Sequence, residues 1–131
     1  TICIEADGSL TGHNTDAPGF RDSLLTWLPT NWDGAALILG TGGGSKAIAW
    51  TLESLGIPFK YVSRSPDADQ LSYSSLGKDI LEDYSLIINC TPLGTYPEID
   101  LRPDLAYQYL GANNYLYDLV YNPEETTFMR L

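Results

Sequence analysis

Apolar and polar positions along the chain change period several times, and each change marks an element. The apolar residues of segment 1–6 read as a strand, Asp7-Gly8 as a turn and Ser9 to His13 as a return segment, which together make a hairpin. Pro18 and Gly19 open a helix whose apolar positions Phe20, Leu24, Trp27 and Leu28 recur at i, i+4, i+7 and i+8 before Pro29 stops it. Ala35 to Leu39 is a nearly unbroken apolar run, the pattern of a strand covered on both faces in a parallel sheet. Ala47, Ile48, Trp50, Leu52 and Leu55 return to helical spacing over 45–55, with Gly56 and Pro58 as stop signals, and a second strand follows from Phe59 to Val62.

The second half is more broken. Segment 65–70 is a polar crossover too short for a full helix between parallel strands. A short strand is expected at 71–74, a helix at 76–82, a buried strand at 86–89, a helix at 104–110 ended by Gly111, and a last strand at 115–120. The residues through Leu131 read as the interrupted start of another element. Strands alternating with helices predict an α/β fold of doubly wound, Rossmann-like type, with a mainly parallel sheet and helices on both faces.

Between the first buried strand and its helix lies Gly40-Thr41-Gly42-Gly43-Gly44-Ser45-Lys46. This fits G-x-G-x-x-small: the first Gly permits the tight turn, the second lets backbone approach a pyrophosphate, and the third small residue allows close helix–strand packing. The unpaired amides and positive dipole end of the helix then form an anion site. A P-loop is disfavoured, because Ser45 and Ala47 flank Lys46 where Gly and Ser or Thr would be needed. Lys46 opposes the helix dipole, a cost of about 0.3 kcal/mol or more that a bound phosphate would reverse; the alternative is a solvated surface lysine.

An NAD-preferring unit usually ends its second strand with an acid that accepts from the ribose 2′-hydroxyl. Ser63-Arg64-Ser65 supplies one guanidinium and two hydroxyls instead, a pattern suited to the 2′-phosphate of NADP, with an ordinary exposed arginine as the alternative. Thr91-Pro92-Leu93-Gly94 opens a loop at the C-terminal end of the next buried strand, the edge where open α/β sheets hold ligands. Asp16 precedes a helix start and is read locally as an N-cap or Asx turn.

Composition narrows the picture further. The chain has 131 residues, one domain's worth, and a net charge of −10 with seven Lys plus Arg, which argues against nucleic acid or an anionic membrane as partner. Neither a twenty-residue apolar span nor a secretory signal pattern is present. Cys3 and Cys90 lie in strand-like apolar surroundings without CxxC or Cys/His clustering, so buried, reduced thiols in a cytoplasmic protein are expected, and no metal site. With no initiator Met and an apolar run at the first residue, the chain reads as a piece of a larger protein. The apolar strand at its start is expected to pair with a second copy, as a homodimer, or to fold back on the domain.

Four segments, in order, carry a resemblance to one family: Asp7-Gly8 through Gly12-His13-Asn14-Thr15-Asp16, Gly40 to Ala47, Ile88-Asn89-Cys90-Thr91-Pro92-Leu93-Gly94, and Tyr117-Asp118-Leu119-Val120-Tyr121-Asn122-Pro123. The chain resembles the NADP-binding half of shikimate dehydrogenases and their quinate-dehydrogenase relatives. The resemblance implies reversible NADPH-dependent reduction of 3-dehydroshikimate to shikimate on the route to aromatic amino acids. It implies that Asp16 works beside the substrate with a Lys as the catalytic pair, that Asn14 and Thr15 frame the substrate, and that Tyr121 stands on the substrate side. Gly40 to Ser45 would hold the pyrophosphate, Ser63, Arg64 and Ser65 the 2′-phosphate, and Thr91 to Gly94 the region near the nicotinamide. Three positions depart from the family: Ser63 where Asn is usual, Thr95 where Met is usual, and Ala17 in place of a common Gly.

By the same resemblance residues 1–16 are the tail and hinge of a substrate domain whose Ser-x-Ser pair and catalytic Lys lie upstream. Residues 17–131 are the NADP-binding domain without its C-terminal helices, so this piece is expected to be inactive alone. The alternatives are an NAD-preferring quinate/shikimate enzyme and a dinucleotide-binding module without chemistry.

Overall fold

The computed structural model describes residues 2–12 and 15–130. Strands β1 (Ile2–Ile4) and β2 (Leu10–Gly12) form the expected antiparallel hairpin, with Ile4 opposite Leu10. Gly8 turns it at φ +83°, and the Asp7 carboxylate accepts from both the Ser9 amide at 2.9 Å and the Ser9 hydroxyl at 2.6 Å. Ile2, Ile4 and Leu10 are exposed. Cys3, expected to be buried, is exposed as well, because a two-stranded ribbon has no layer of its own to pack against.

Helix α1 (Asp16–Trp27) buries Ala17, Phe20 and Leu24. It ends at Leu28, whose ψ of 143° is the extended conformation that a following proline imposes. Thr15, not Asp16, occupies the N-cap position, so the Asp16 carboxylate lies in the first helical turn, where the dipole favours it. The N-cap reading of Asp16 is thereby corrected by one residue.

The main sheet contains β3 (Ala36–Leu39), β4 (Phe59–Ser63), β5 (Leu71–Ser72), β6 (Leu86–Asn89) and β7 (Tyr115–Asp118), all neighbours parallel, in the order β5-β4-β3-β6-β7. Every residue of β3 and β6 is buried, as their unbroken apolar runs require. Ala36, Ile38, Leu86 and Ile88 face Phe20 and Leu24 of α1 and Ile48 and Leu52 of α2 (Gly43–Ser54). Leu37, Leu39 and Ile87 face the opposite layer, where α3 (Lys78–Asp83) supplies Leu81 and α4 (Thr127–Arg130) supplies Phe128. Helices thus cover both faces, but those of the second face are short.

Two expectations are revised in that thinner layer. Segment 104–110 is irregular apart from a 3-10 turn at Tyr107–Tyr109. Leu105, Tyr107 and Leu110 all reach the same core cluster, whereas an α-helix would point positions 105 and 107 about 200° apart. The third strand is Leu71–Ser72 alone, running into a 3-10 turn at Tyr73–Ser75, and the helix after it begins at Lys78 because Leu76 is drawn into the core from the loop. The short crossover is borne out: residues 64–70 join the parallel strands β4 and β5 without a helix.

Candidate functional site

From β3 the chain passes to β4 on one side, then later crosses to β6 on the other, so the sheet has its topological switch point at the carboxyl end of β3. The glycine turn occupies that place. Gly40 adopts φ +97°, a conformation that residues with a Cβ rarely take, and a Cβ there would stand 3.1 Å from Thr91 Cγ2. Gly42 is the N-cap of α2 at φ −73° and ψ −176°, with no side-chain cap. A Cβ on Gly42 or Gly43 would meet open space. The first amides of α2 therefore face an unobstructed approach, as an anion site requires.

Ser45, the third small residue of the motif, is fully buried and donates through Oγ to the Gly42 carbonyl at 2.6 Å, closing the turn on itself. On the neighbouring strand β4, burial pushes the Tyr61 phenol above its ordinary pKa. Thr41, Gly43, Gly44 and Lys46 are exposed around this turn.

On the β4 side, Ser63 ends the strand and its Oγ accepts from the Ser65 amide at 3.2 Å. Arg64 and Ser65 are exposed, and Arg64 takes part in no ion pair among the described residues. The register Ser63↔Ser72 sets Arg64 beside Tyr73 at the next position.

On the β6–β7 side a cleft of about 360 Å³ is lined by Cys90, Thr91, Pro92, Thr95, Leu119, Val120, Tyr121 and Asn122. Of the residues singled out from sequence, Thr91, Pro92 and Tyr121 share this cleft. Leu93 is half-buried, and Gly94 is buried at φ +93°, where a Cβ would stand 3.1 Å from the Leu101 carbonyl oxygen. Thr15 and Asp16 are exposed at the start of α1 and are not among the cleft-lining residues; Asn14 lies outside the described residues.

Three polar residues behind the cleft were not singled out as site residues from sequence. Asn89, fully buried, donates through Nδ2 to Asp118 Oδ1 at 2.9 Å and accepts through Oδ1 from the Thr91 amide at 3.0 Å and the Thr91 hydroxyl at 2.6 Å. Asp118 also accepts from the Val120 amide at 2.9 Å and, through Oδ2, from the buried Thr126 hydroxyl at 2.6 Å. Burial raises the pKa of Asp118, outweighing these three donors, which pull it down. Cys90 is pushed up to about 12 by burial, with the Asp118 charge adding to the effect, so its thiol is neutral. The available signal was positional: each of β6 and β7 ends in a polar residue at the sheet's carboxyl edge. Among the described residues no group of three or more His, Cys, Asp or Glu could hold a metal ion, and no helix is long and apolar enough to cross a membrane.

The fold and the turn at its switch point define a Rossmann-type α/β domain. No protein-family model matches the chain. It is 37% identical over 138 residues to the shikimate dehydrogenase (NADP(+)) of Clostridium beijerinckii, an alignment that takes in all of this chain and 50% of that protein. The solved shikimate 5-dehydrogenase of Thermus thermophilus in complex with NADP(H) and shikimate superposes with a TM-score of 0.79 at 28% identity, over 98% of this chain and 50% of that one. A quinate dehydrogenase from Corynebacterium glutamicum in complex with NAD shares the fold, with a TM-score of 0.82 at 22% identity over 98% of this chain and 51% of that one. Over nearly its whole length the chain is similar to shikimate dehydrogenases (NADP(+)), and it spans about half the length of the curated relatives it matches.

Proposed function

We propose that the chain is the NADP-binding domain of a cytoplasmic shikimate dehydrogenase, an enzyme that reversibly reduces 3-dehydroshikimate to shikimate with NADPH. The observation that carries this reading is the pairing of an uncapped, open glycine turn at the switch point with Arg64 one residue beyond β4. The turn from Gly40 to Ser45 would receive the pyrophosphate on backbone amides, assisted by Lys46, and Ser63, Arg64 and Ser65 would receive the 2′-phosphate. Thr91, Pro92, Leu93 and Gly94 would bound the nicotinamide end. The coenzyme, when bound, supplies the hydride.

Asp16, with a Lys outside this sequence, would move the proton at the carbinol oxygen, and Asn14, Thr15 and Tyr121 would frame the substrate. In this reading residues 1–16 belong to the junction with a substrate domain and residues 17–131 to the coenzyme domain. The relatives' double length supports that division. The exposed β1–β2 edges would pair with a second copy or with the rest of the parent protein.

Fluorescence titration of the chain with NADPH and NADH tests the reading: tighter binding of NADPH is expected, and equal affinity or none would overturn it. Turnover is expected only from the full-length parent, measured as NADPH oxidation with 3-dehydroshikimate. Asp16→Asn in that parent is expected to lower kcat about 10²–10⁴-fold. An unchanged kcat would leave Asp16 with its place in the first turn of α1 and no more.

A further inference from the structure

The two walls of the cleft are the segments that leave β6 and β7, and side-chain hydrogen bonds that meet at Asp118 join them. Asn89 grips the first wall by accepting from both the amide and the hydroxyl of Thr91. Its amide group then passes the hold to Asp118, which fixes the second wall by accepting from Val120. Thr126, just before α4, ties the other carboxylate oxygen to the element that closes the far face. The bridge is largely sheltered, since Asn89 and Thr126 are fully buried, so breaking one link strands a desolvated partner rather than exchanging it for water.

This bridge lies on one side of β3 only. Arg64 and the end of β4 stand on the other side of the switch point, and no hydrogen bond of the bridge reaches them. Loosening the bridge should therefore deform the Thr91 and Tyr121 side of the site and leave the Arg64 side in place. We propose that Asp118 is a positioning residue that, through Asn89 and Thr126, sets the shape of the nicotinamide-side cleft without touching the coenzyme. The proposal rests on the reading of this site as an NADP site.

The chemistry of substitutions at 118 separates bridging from mere bulk. Asp118→Ala removes all three acceptances. Asp118→Asn can keep them in altered form, its amide oxygen accepting from Asn89 and Val120 while its amino group donates to the Thr126 oxygen. Thr126→Val preserves shape and removes one arm only.

The test is titration of each variant of the chain with NADPH and with adenosine 2′,5′-bisphosphate, which carries the adenosine-side phosphates but no nicotinamide. Asp118→Ala is expected to weaken NADPH binding roughly five- to thirtyfold and to leave the bisphosphate within about twofold, with Asp118→Asn close to wild type. Thr126→Val should show the same selective loss to a smaller extent, and it carries the comparison alone if Asp118→Ala does not fold. Equal losses for both ligands, or no loss for either, would overturn the proposal. Failure of the wild-type chain to bind the bisphosphate would instead remove the NADP reading, and the proposal with it.

Discussion

The amide of Gly40 donates to the carbonyl of Val62 at 2.9 Å, carrying the β3–β4 ladder one residue past the end of β3. The register Leu39↔Val62 then sets Gly40 against Ser63, so the glycine turn and Arg64 are held at the same level of the sheet edge. Arg64→Ala should cost a charge-assisted contact of about 1.5–3 kcal/mol with NADPH, or roughly one to two decades in affinity, while NADH binding stays near wild type. Paired titrations with the two reduced coenzymes measure it. A variant that still prefers NADPH as strongly as wild type would move the selectivity elsewhere.

Much of this geometry was legible in the chain. Ala36 to Leu39 and Leu86 to Asn89 are short and apolar because both their faces are covered, and the glycine spacing between Gly40 and Ser45 places the turn that the switch point then receives. The misread parts share a physical cause: their side chains are placed by particular contacts, near or far along the chain, that hydrophobic periodicity does not encode. Tyr107 is fixed by its hydroxyl on the Pro103 carbonyl at 2.8 Å and by Arg102 over its ring at 4.9 Å, contacts that a period of 3.6 residues does not announce. Cys3 sits in an apolar run yet is exposed, because periodicity describes a face and not what covers it. Asn89 and Asp118 are 29 residues apart, and nothing local to either predicts their hydrogen bond.

The two thiols should differ sharply in reactivity. Cys3 is exposed, whereas Cys90 is part-buried beside the cleft with its pKa pushed up to about 12, so almost none of it is thiolate at neutral pH. Alkylation with iodoacetamide followed by peptide mass spectrometry should modify Cys3 first and leave Cys90 largely intact. Saturating NADPH should slow Cys90 further and leave the Cys3 rate unchanged. Faster modification of Cys90 would contradict both its burial and its neutral state.

Asp118 gives the chain a pH signature of defined sign. Burial holds its folded-state pKa above the ordinary value of 3.8, so between those two values the folded state binds more proton than the unfolded one. Its contribution to stability is complete below 3.8 and is lost as pH rises through the raised value. Asp118→Asn lacks this titration and keeps the shape. The melting temperature of wild type relative to Asp118→Asn should therefore fall as pH rises from acid toward neutral, in melts taken at matched ionic strength. A difference moving the other way would show that the hydrogen bonds from Thr126, Val120 and Asn89 outweigh desolvation.

Two glycines of one turn should separate folding from binding. At Gly40 the backbone φ of +97° is strained for alanine, and the new Cβ would press on Thr91 Cγ2 at 3.1 Å, so Gly40→Ala should destabilise the domain by about 1–3 kcal/mol. At Gly42 the dihedrals are φ −73° and ψ −176°, extended backbone that alanine adopts freely, and its Cβ would enter open space. That space is where a pyrophosphate would approach the first amides of α2, so the methyl group competes with the ligand and not with the fold. Gly42→Ala should therefore melt within about 1 kcal/mol of wild type and still lose coenzyme affinity. Thermal melts and NADPH titrations of both variants make the comparison. Undiminished NADPH binding by a folded Gly42→Ala protein would mean that the α2 terminus is not the anion site, whatever Arg64 contributes.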